Sequence, residues 1–325
     1  MERHNYMKRV LAIAVLCTLC ATIGTTVAWN VNTSAPSSST PSWMSTREKQ
    51  NNAPLARYHS TLEIGTTTAR EENISPFAGY DVPFDQGIAT DGVYNYGFGT
   101  TQIMKYSLRW ALIDSTHNAL RDVGLSPVDG HIGAGKVFDG KIYAPCCEWR
   151  RDVTPNIVTH NRIGIWNASD LSFTGYVDLS HFEEPVFTHG IDASCITIRS
   201  DEGFKEAYVG SYFNSTGTIW HFDMRDWSLI DTITPGDSFK HVQGIDYYRG
   251  HLYAAVPSKG IVRILPDGTN ETTVIPIADI GHGELEGDSL DAHGTISVLM
   301  KHVIGLGRPM SDTVYLYSNI TGISS

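Results

Sequence analysis

Residues 86–97, QGIATDGVYNYG, are the first of five phrases that open in a similar way, with a polar residue close before a glycine and a strand-like run after it. The other four phrases are HIGAGKVFDGKIYAP (131–145), HGIDASCITI (189–198), HVQGIDYYRGHLYAAV (241–256) and ELEGDSLDAHGTISVL (284–299). Self-similarity of this kind indicates a repeat architecture, in which each repeat is one supersecondary unit. The phrases therefore predict five equivalent units.

Each unit continues with further strand-like runs. A third strand of alternating residues occurs in every unit: QIMKYS (102–107), RIGIWN (162–167), TIWHFD (218–223), IVRILPD (261–267) and TVYLYS (313–318). Four units close with a fourth strand: RWALIDST (109–116), SFTGYVDLS (172–180), SLIDTIT (228–234) and TTVIPI (272–277). Four strands at a period of roughly 50 residues are typical of propeller blades, whereas a β-sandwich does not repeat in matching sets of four. We predict an all-β β-propeller of five four-stranded blades, with six blades as the alternative.

The last unit supplies three strands before Ser325. We predict that an N-terminal strand completes it, and the strand-like run YHSTLEI (58–64) is the expected segment. A ring closed by both ends of the chain leaves no long exposed edge.

A targeting signal begins the chain. Three basic residues precede an apolar run from Val10 to Ala28 that ends in small residues, as in a signal peptide. The run is also long enough for an uncleaved type II anchor. We assign residues 1–28 to a signal peptide or signal anchor, 29–56 to a Ser/Thr/Pro-rich linker and 57–325 to the propeller domain. The expected location is extracellular by secretion or, alternatively, as a single-pass type II membrane protein.

The composition limits the classes of partner that the protein is expected to bind. The net charge of -11 and the scattered Lys and Arg residues exclude a nucleic-acid partner, because phosphate binding needs a basic stripe. Membrane contact is expected only through an uncleaved N-terminal segment. Six Asn-x-Ser/Thr sequons predict glycosylation, at Asn32, Asn73, Asn167, Asn214, Asn270 and Asn319.

Three cysteines follow the signal segment: Cys146, Cys147 and Cys195. An odd number permits at most one disulfide within the chain. Two interpretations stay open, a bridge from Cys195 to one of the adjacent pair or buried unpaired thiols on strands.

The opening phrases, the LYAAV run (252–256) and the IWHFD run (219–223) resemble extracellular five-bladed propellers of the plant-type glutaminyl cyclotransferase and lactonase-like kind. The resemblance extends over roughly residues 80–325 and concerns the order of strands within a blade. It implies an extracellular propeller, with enzymes as one functional class. No catalytic motif transfers residue by residue, so the resemblance assigns no site residue.

The innermost strand of each blade is expected to begin at the mouth of the central channel. Aligned on the following glycine, the phrases bring polar residues to this mouth: Gln86, His189, Gln243 and Glu286 at one level, with His131 one residue earlier and His241 and Glu284 two residues earlier. We predict that this ring binds a polar ligand such as a sugar. The alternative is that it holds only ordered water.

Two further roles follow from residue chemistry. Imidazole and carboxylate are the usual ligands of Zn²⁺ and other transition metals, so His131, His189, His241 and Glu286 are candidate metal ligands. Glu284 and Glu286 lie two apart on a strand, where two buried carboxylates raise each other's pKa and can act as catalytic acid and base. Together with Asp288 they would instead suit Ca²⁺.

A long loop is predicted between the second and third strands of the second unit, CCEWRRDVTPNIVTHN (146–161). Long loops in folded domains are often functional. Glu148, Trp149 and Arg150 combine an acid, an aromatic platform and a cation, a mixture suited to a sugar or an anionic ligand. In the alternative, Trp149 packs on a neighbouring blade. His302 is a further candidate on the same side.

These patterns lead to two hypotheses. The first is a secreted or membrane-tethered propeller that binds a polar small molecule, a glycan or a protein partner at the mouth of its channel. The second is an extracellular metal-dependent enzyme of the hydrolase, lyase or cyclotransferase type, with zinc or calcium bound in the His/Glu ring. The sequence leaves open whether the protein is an enzyme.

Overall fold

Twenty-one β-strands in five antiparallel sheets form most of the regular structure described by this computed structural model. The described residues are 78–116, 118–150, 157–183, 191–199, 201–212, 217–235, 239–269, 271–280, 283–301 and 312–318. All of them belong to one unit, Thr68–Ser325. Residues 1–28, 29–56 and 58–64 lie outside the described part. Within it, no helix has the length and apolar character needed to cross a lipid bilayer.

Each sheet is one blade, and the strands of a blade follow one another from the channel outwards. Blade 1 contains β2 (Gly87–Thr90), β3 (Tyr94–Gly99), β4 (Gln102–Ser107) and β5 (Leu112–Thr116). Blade 2 contains β6 (Gly130–Ile132) and β7 (Lys136–Phe138), which both pair with β8 (Lys141–Arg150), then β9 (Ile157–Asn167) and β10 (Phe173–Asp178). Blade 3 contains β11 (Ala193–Arg199), β12 (Glu206–Ser211), β13 (Ile219–Asp223) and β14 (Ser228–Ile233).

Blade 4 contains β15 (Gly244–Tyr248), β16 (His251–Val256), β17 (Gly260–Ile264) and β18 (Thr272–Pro276). Blade 5 contains β19 (Glu284–Leu290), β20 (Ile296–Lys301), β21 (Asp312–Tyr317) and β1 (Ala78–Val82). Short helices lie in the connections: α1 (Ala119–Asp122), α2 (Ile277–Ile280) and 3-10 helices at Ser180–Phe182 and Asp201–Gly203.

The inner strands are neighbours around one central channel. β2 contacts β7, β7 contacts β11, β11 contacts β15, β15 contacts β19, and β19 contacts β2 again, which closes the ring. The glycines of the opening phrases permit this approach, since a Cβ on Gly87 would overlap Ala134 and one on Gly133 would overlap the Ser194 carbonyl. The predicted five-bladed propeller is confirmed, and the six-bladed alternative is wrong.

A separate apolar core fills the space between each pair of adjacent blades. Strand β16 shows how the sequence supplies two cores at once. Leu252, Ala254 and Val256 pack towards blade 3, while Tyr253 and Ala255 pack towards blade 5. Because successive side chains of a strand point to opposite faces, a continuous apolar run is needed wherever a blade is covered on both sides.

The last blade is closed by an N-terminal strand, as predicted, but the segment differs. β1, with the sequence AGYDV, pairs antiparallel with β21, so that Tyr80 lies opposite Val314. The YHSTLEI run was preferred because it is richer in β-formers, whereas AGYDV contains Gly and Asp. Its position next to blade 1 decides the pairing, since Val82 and Phe84 fill the core between blades 5 and 1.

A buried polar network holds the inner strands together inside the channel. Asp246 is 1% exposed and accepts hydrogen bonds from Lys136 Nζ at 2.5 Å, Thr197 Oγ1 at 3.0 Å and the Leu290 N–H at 2.7 Å. These partners come from three other blades. Saturation of the carboxylate by donors, including an ammonium group, offsets its desolvation.

Asp288 lies beside this network, on β19. Its side chain packs over Gly244 and is almost fully buried. Burial and the nearby charge of Asp246 raise its pKa well above the ordinary value, although Lys136 opposes them. Asp288 was expected to join Glu284 and Glu286 around Ca²⁺. It does not line the cavity where those two residues lie, because its side chain faces blade 4.

All three cysteines of the propeller are free and buried. Cys146 belongs to the core between blades 1 and 2, and Cys195 to the core between blades 3 and 4. Burial raises the pKa of both thiols to about 12. The interpretation as buried thiols is confirmed, and the structure contains no bridge from Cys195 to the adjacent pair.

One predicted glycosylation site, Asn167, lies in the described part, and the other five sequons lie outside it. Asn167 ends β9 on the outer half of blade 2 and is partly exposed. Its amide donates to Ser172 Oγ at 2.7 Å, and its carbonyl oxygen accepts from Lys141 Nζ at 3.1 Å. The side chain is therefore held at the rim of a turn.

Candidate functional site

A cavity of about 760 Å³ lies at the end of the channel where the inner strands begin. It brings together six of the predicted residues: Gln86, His131, Trp149, Gln243, Glu284 and Glu286. Each of the five blades contributes at least one side chain to the lining. Convergence at this mouth follows from the shared direction of the inner strands.

The blade 5 side of the cavity carries an ion-paired group. Lys301 Nζ lies 3.0 Å from Asp85 Oδ2 and 3.5 Å from Glu286 Oε1. Glu286 is 3% exposed, and burial raises its pKa to about 8 even though Lys301 opposes the shift. The neighbouring charges of Glu284 and Asp85 raise it further. Glu286 therefore holds a proton at neutral pH and can donate it.

Three lining side chains owe their direction to β-bulges. The ladder skips one residue at Cys147 in β8, at Ser194 in β11 and at Glu286 in β19. All three of these residues line the cavity. A bulge leaves one residue unpaired and re-aims its side chain. Ordinary strand alternation keeps Leu285 in the core between blades 4 and 5 while Glu284 and Glu286 both reach the cavity.

The blade 1 and blade 2 side is built around His131. Its Nε2 lies 2.5 Å from Gln86 Oε1, and the two residues come from adjacent blades. The Trp149 ring meets the imidazole edge-to-face at 6.0 Å. This packing fixes the His131 ring between an amide and an aromatic wall.

The predicted loop 146–161 is for the most part an extension of the β8–β9 hairpin. Trp149 pairs with Val158, and both line the cavity. Glu148 points the other way: its Oε1 accepts from the Ser126 N–H at 2.8 Å and its Oε2 lies 3.1 Å from His160 Nδ1. It is therefore not part of the lining. Arg150 ends β8, and its side chain lies outside the described part, as does residue Arg151.

The other two predicted histidines are placed differently. His241 is exposed, adopts a positive φ of 59° and contacts the Tyr212 ring at 4.8 Å without lining the cavity itself. His189 and His302 lie outside the described residues. Among those that are described, no three His, Cys, Asp or Glu side chains are grouped so that they could hold a metal ion. Of the four predicted metal ligands, His131 and Glu286 line the cavity.

Sequence reasoning missed several lining residues, notably Asp85, Asp192, Tyr212 and Lys301. Asp85 directly precedes Gln86, and Asp192 lies within the third opening phrase, so the repeats contained a signal for both. Lys301 lies opposite Glu284 in the antiparallel register. The end of each second strand returns to the mouth where the first strand began, and this rule would have identified both Lys301 and Tyr212.

No protein-family model and no curated protein matches this sequence. Among solved structures, the chain is similar to glutaminyl cyclase from Myxococcus xanthus at 11% identity, with a TM-score of 0.47 over 74% of this chain and 95% of the other. It is also similar to the PQQ-bound aldose sugar dehydrogenase from Streptomyces coelicolor at 10% identity, with a TM-score of 0.39 over 75% and 99%.

A third similar structure is BamB from Moraxella catarrhalis, at 11% identity and a TM-score of 0.35. The match covers 73% of this chain and 60% of that one, so the chain spans less than two thirds of BamB. At such identities the likeness concerns the fold alone. On the evidence of its own sheets and their closed ring, the chain is a five-bladed β-propeller.

Proposed function

We propose that this protein is an extracellular propeller that binds a polar small molecule in the cavity at the channel mouth. The observation that carries the proposal is that all five blades direct side chains into one cavity of ligand size. Polar and apolar surface contribute about equally to the lining, and Gln86, Gln243 and Tyr212 offer both donors and acceptors there. Glu284 and Lys301 add charged groups that can orient a ligand.

The extracellular location rests on the signal segment and the sequons. An apolar segment after basic residues directs a chain into the secretory pathway, whether it is later cleaved or retained as an anchor. N-terminal sequencing of the mature protein from eukaryotic cells separates these two states. Digestion with an N-glycosidase should lower the mass in steps, and Asn167→Gln should remove one step. If digestion lowers the mass of the natural protein and of Asn167→Gln by the same number of steps, Asn167 carries no glycan.

Binding can be tested on the purified propeller. A ligand found by thermal-shift screening of polar metabolites should lose roughly tenfold in affinity in Gln243→Ala and Tyr212→Phe, because each removes a group from the lining. Asp114→Asn is the matched control, since Asp114 is exposed on the outer strand β5. A ligand whose affinity responds to none of the lining variants would contradict the site.

A second candidate function is acid–base catalysis by Glu286. The observation favouring it is a buried carboxyl group, aimed into a cavity, whose pKa is raised to about 8. Such a group can protonate a leaving group in a hydrolase, lyase or cyclotransferase type of reaction. Glu286→Gln should then abolish turnover while binding persists. The rate should fall as the pH rises through about 8, because the acid loses its proton.

Metal analysis separates the two forms of the enzyme hypothesis. Zn²⁺ or Ca²⁺ present at one ion per protein, and lost in Glu286→Ala or His131→Ala, would support metal-dependent catalysis. A protein that turns over substrate at full rate after dialysis against a chelator would support the metal-free route through Glu286.

A further inference from the structure

Charged side chains line one part of the cavity, and mainly apolar and aromatic side chains line another. The part contributed by blade 5 and the chain just before β2 carries Asp85, Glu284, Glu286 and Lys301. The part contributed by the β8–β9 hairpin and the segment after α1 carries Cys147, Trp149, Val158 and Val128. One part is therefore charged, and the other is mainly apolar and aromatic, with Asp129 next to Val128 as its carboxylate. A ligand that fits both must itself be amphiphilic.

The cavity as a whole has an excess of negative charge. Five carboxyl groups line the described cavity, and Lys301 is the one Lys or Arg among its lining residues. Lys301 already contacts two of the five, Asp85 and Glu286. With Glu286 protonated, four carboxylates still face one ammonium group. This imbalance disfavours an anionic ligand and favours a cation.

Glu284 is the carboxylate best placed to receive such a cation. Its side chain is only partly buried, and it interacts electrostatically with Lys301, whose ammonium group already contacts Asp85 and Glu286. The side chain lies at the start of β19, opposite Lys301, and lines the cavity. An incoming ammonium group would therefore pair with Glu284 and leave the contacts of Lys301 with Asp85 and Glu286 in place.

The apolar part supplies a stacking surface. Trp149 is half-buried, lies across the hairpin from Val158 and is held edge-to-face against His131. Val128, which also lines the cavity, is 87% exposed. Burial of apolar area against Trp149 and these valines would contribute to affinity, and an aromatic ligand gains further from ring contacts.

We infer that the ligand is an organic cation, with a protonated amine at Glu284 and an aromatic or aliphatic group against Trp149. The inference rests on the proposed function, of which it specifies the ligand class. An anion is disfavoured by the carboxylates, and a neutral sugar would gain nothing from the charge of Glu284. The cavity has room for both ends, since about 760 Å³ lies within the usual range for small-molecule sites.

Calorimetric titration with three matched probes tests the inference. 4-Phenylbutylamine, 4-phenylbutanol and 4-phenylbutyrate share one apolar group and differ in the charge at the other end. At pH 7 and low salt, the amine should bind at least roughly tenfold more tightly than the alcohol, and the carboxylate should not bind. Added salt should weaken the amine more than the alcohol, because the charge contribution is screened.

Substitutions test which residue of the cavity binds each end of the probe. Glu284→Gln should reduce amine affinity roughly tenfold and leave the alcohol unchanged, with Asp114→Asn as the charge control on exposed β5. Trp149→Ala should weaken the amine and the alcohol alike, with Tyr176→Ala on the exposed face of β10 as its control. Trp149→Phe should melt at the same temperature as the natural protein and restore the binding that Trp149→Ala loses. That result would show that the loss in Trp149→Ala comes from the missing ring and not from a disturbed hairpin.

Equal affinity of the three probes, or an unchanged amine preference in Glu284→Gln, would overturn the inference. If a neutral sugar binds and Gln243→Ala weakens it while the amine does not bind, the organic-cation class is wrong and the proposed binding function stands. If no polar ligand, charged or neutral, responds to any lining variant, both fail.

Discussion

Asp246 in the channel and Glu286 at its mouth are both carboxylic acids on inner strands, and both are almost fully buried. Their surroundings differ. Asp246 is saturated by donors from three other blades, including the ammonium group of Lys136. Glu286 has one ammonium group at 3.5 Å and otherwise faces a cavity. The comparison shows that burial alone does not identify a functional acid, since a saturated carboxylate has little capacity left for a ligand.

The largest expected effect is on stability at Asp246. Asp246→Ala leaves the part-buried Lys136 without its anion and leaves donors from neighbouring blades without their acceptor, so the unfolding free energy should fall by about 3–5 kcal/mol. Urea denaturation of the purified propeller measures it. Asp246→Leu combined with Lys136→Met should recover most of the loss, because no buried charge remains. A loss below about 1 kcal/mol for Asp246→Ala would show that the network is not structural.

The next effect is a pH dependence that comes from the acids on β19. An acid whose pKa is higher in the folded chain binds more protons when folded, so stability falls as the pH rises from the ordinary value to the folded value. For Glu286 this window extends from 4.5 to about 8. Asp288 has the same sign, with its pKa raised by burial and by Asp246.

Urea denaturation at pH 5, 7 and 9 should therefore show a loss of stability with rising pH. Glu286→Gln and Asp288→Asn should each be more stable than the natural protein at pH 9, by roughly 1–3 kcal/mol, and close to it at pH 5. Variants that are equally affected at both pH values would contradict the protonated state of these acids.

A smaller effect is expected at Lys301. Lys301→Met leaves Asp85 without its cation, so stability at pH 7 should fall by about 1–2 kcal/mol. The pKa of Glu286 should rise further, because Lys301 no longer opposes the shift. Infrared titration of the carboxyl band, compared with Glu286→Gln, follows that pKa. Lys301→Arg should restore the natural behaviour. A Glu286 pKa that does not move in Lys301→Met would disprove the coupling.

The smallest effect is expected at Glu148. Its carboxylate holds the Ser126 N–H and contacts His160 on the side of the hairpin away from the cavity. Glu148→Gln should cost about 0.5–1 kcal/mol of stability and leave ligand affinity unchanged. Trp149→Ala should instead weaken ligand binding and have little effect on stability. A change in affinity in Glu148→Gln would show that the two faces of the hairpin are not separate.

Much of the architecture could be predicted because it follows from local sequence patterns that repeat along the chain. The opening phrases placed Gln86, Gln243 and Glu286 at one mouth, since equivalent strands in a ring point the same way. The β8–β9 hairpin was predicted as a loop, because its polar and charged residues lack the apolar alternation of a covered strand. The partner of β21 was also misplaced, since nearness in the fold outweighed β-propensity.

The charge state of the site could not be predicted in the same way. Bulges at Cys147, Ser194 and Glu286 re-aim side chains by the loss of one ladder position, and no residue type marks them reliably. Lys301 reaches Asp85 across 216 positions of sequence. Such pairs form only when blades 5 and 1 meet.

By itself, the sequence determined that this chain forms repeated four-stranded blades and which end of each inner strand carries polar residues, because alternation and turn residues act over a few neighbouring positions. Only the tertiary structure decided which carboxyl groups are saturated, which one holds a proton and which face an open cavity. Burial and charge at any residue are set by the adjacent blades, and those are brought together by closure of the ring.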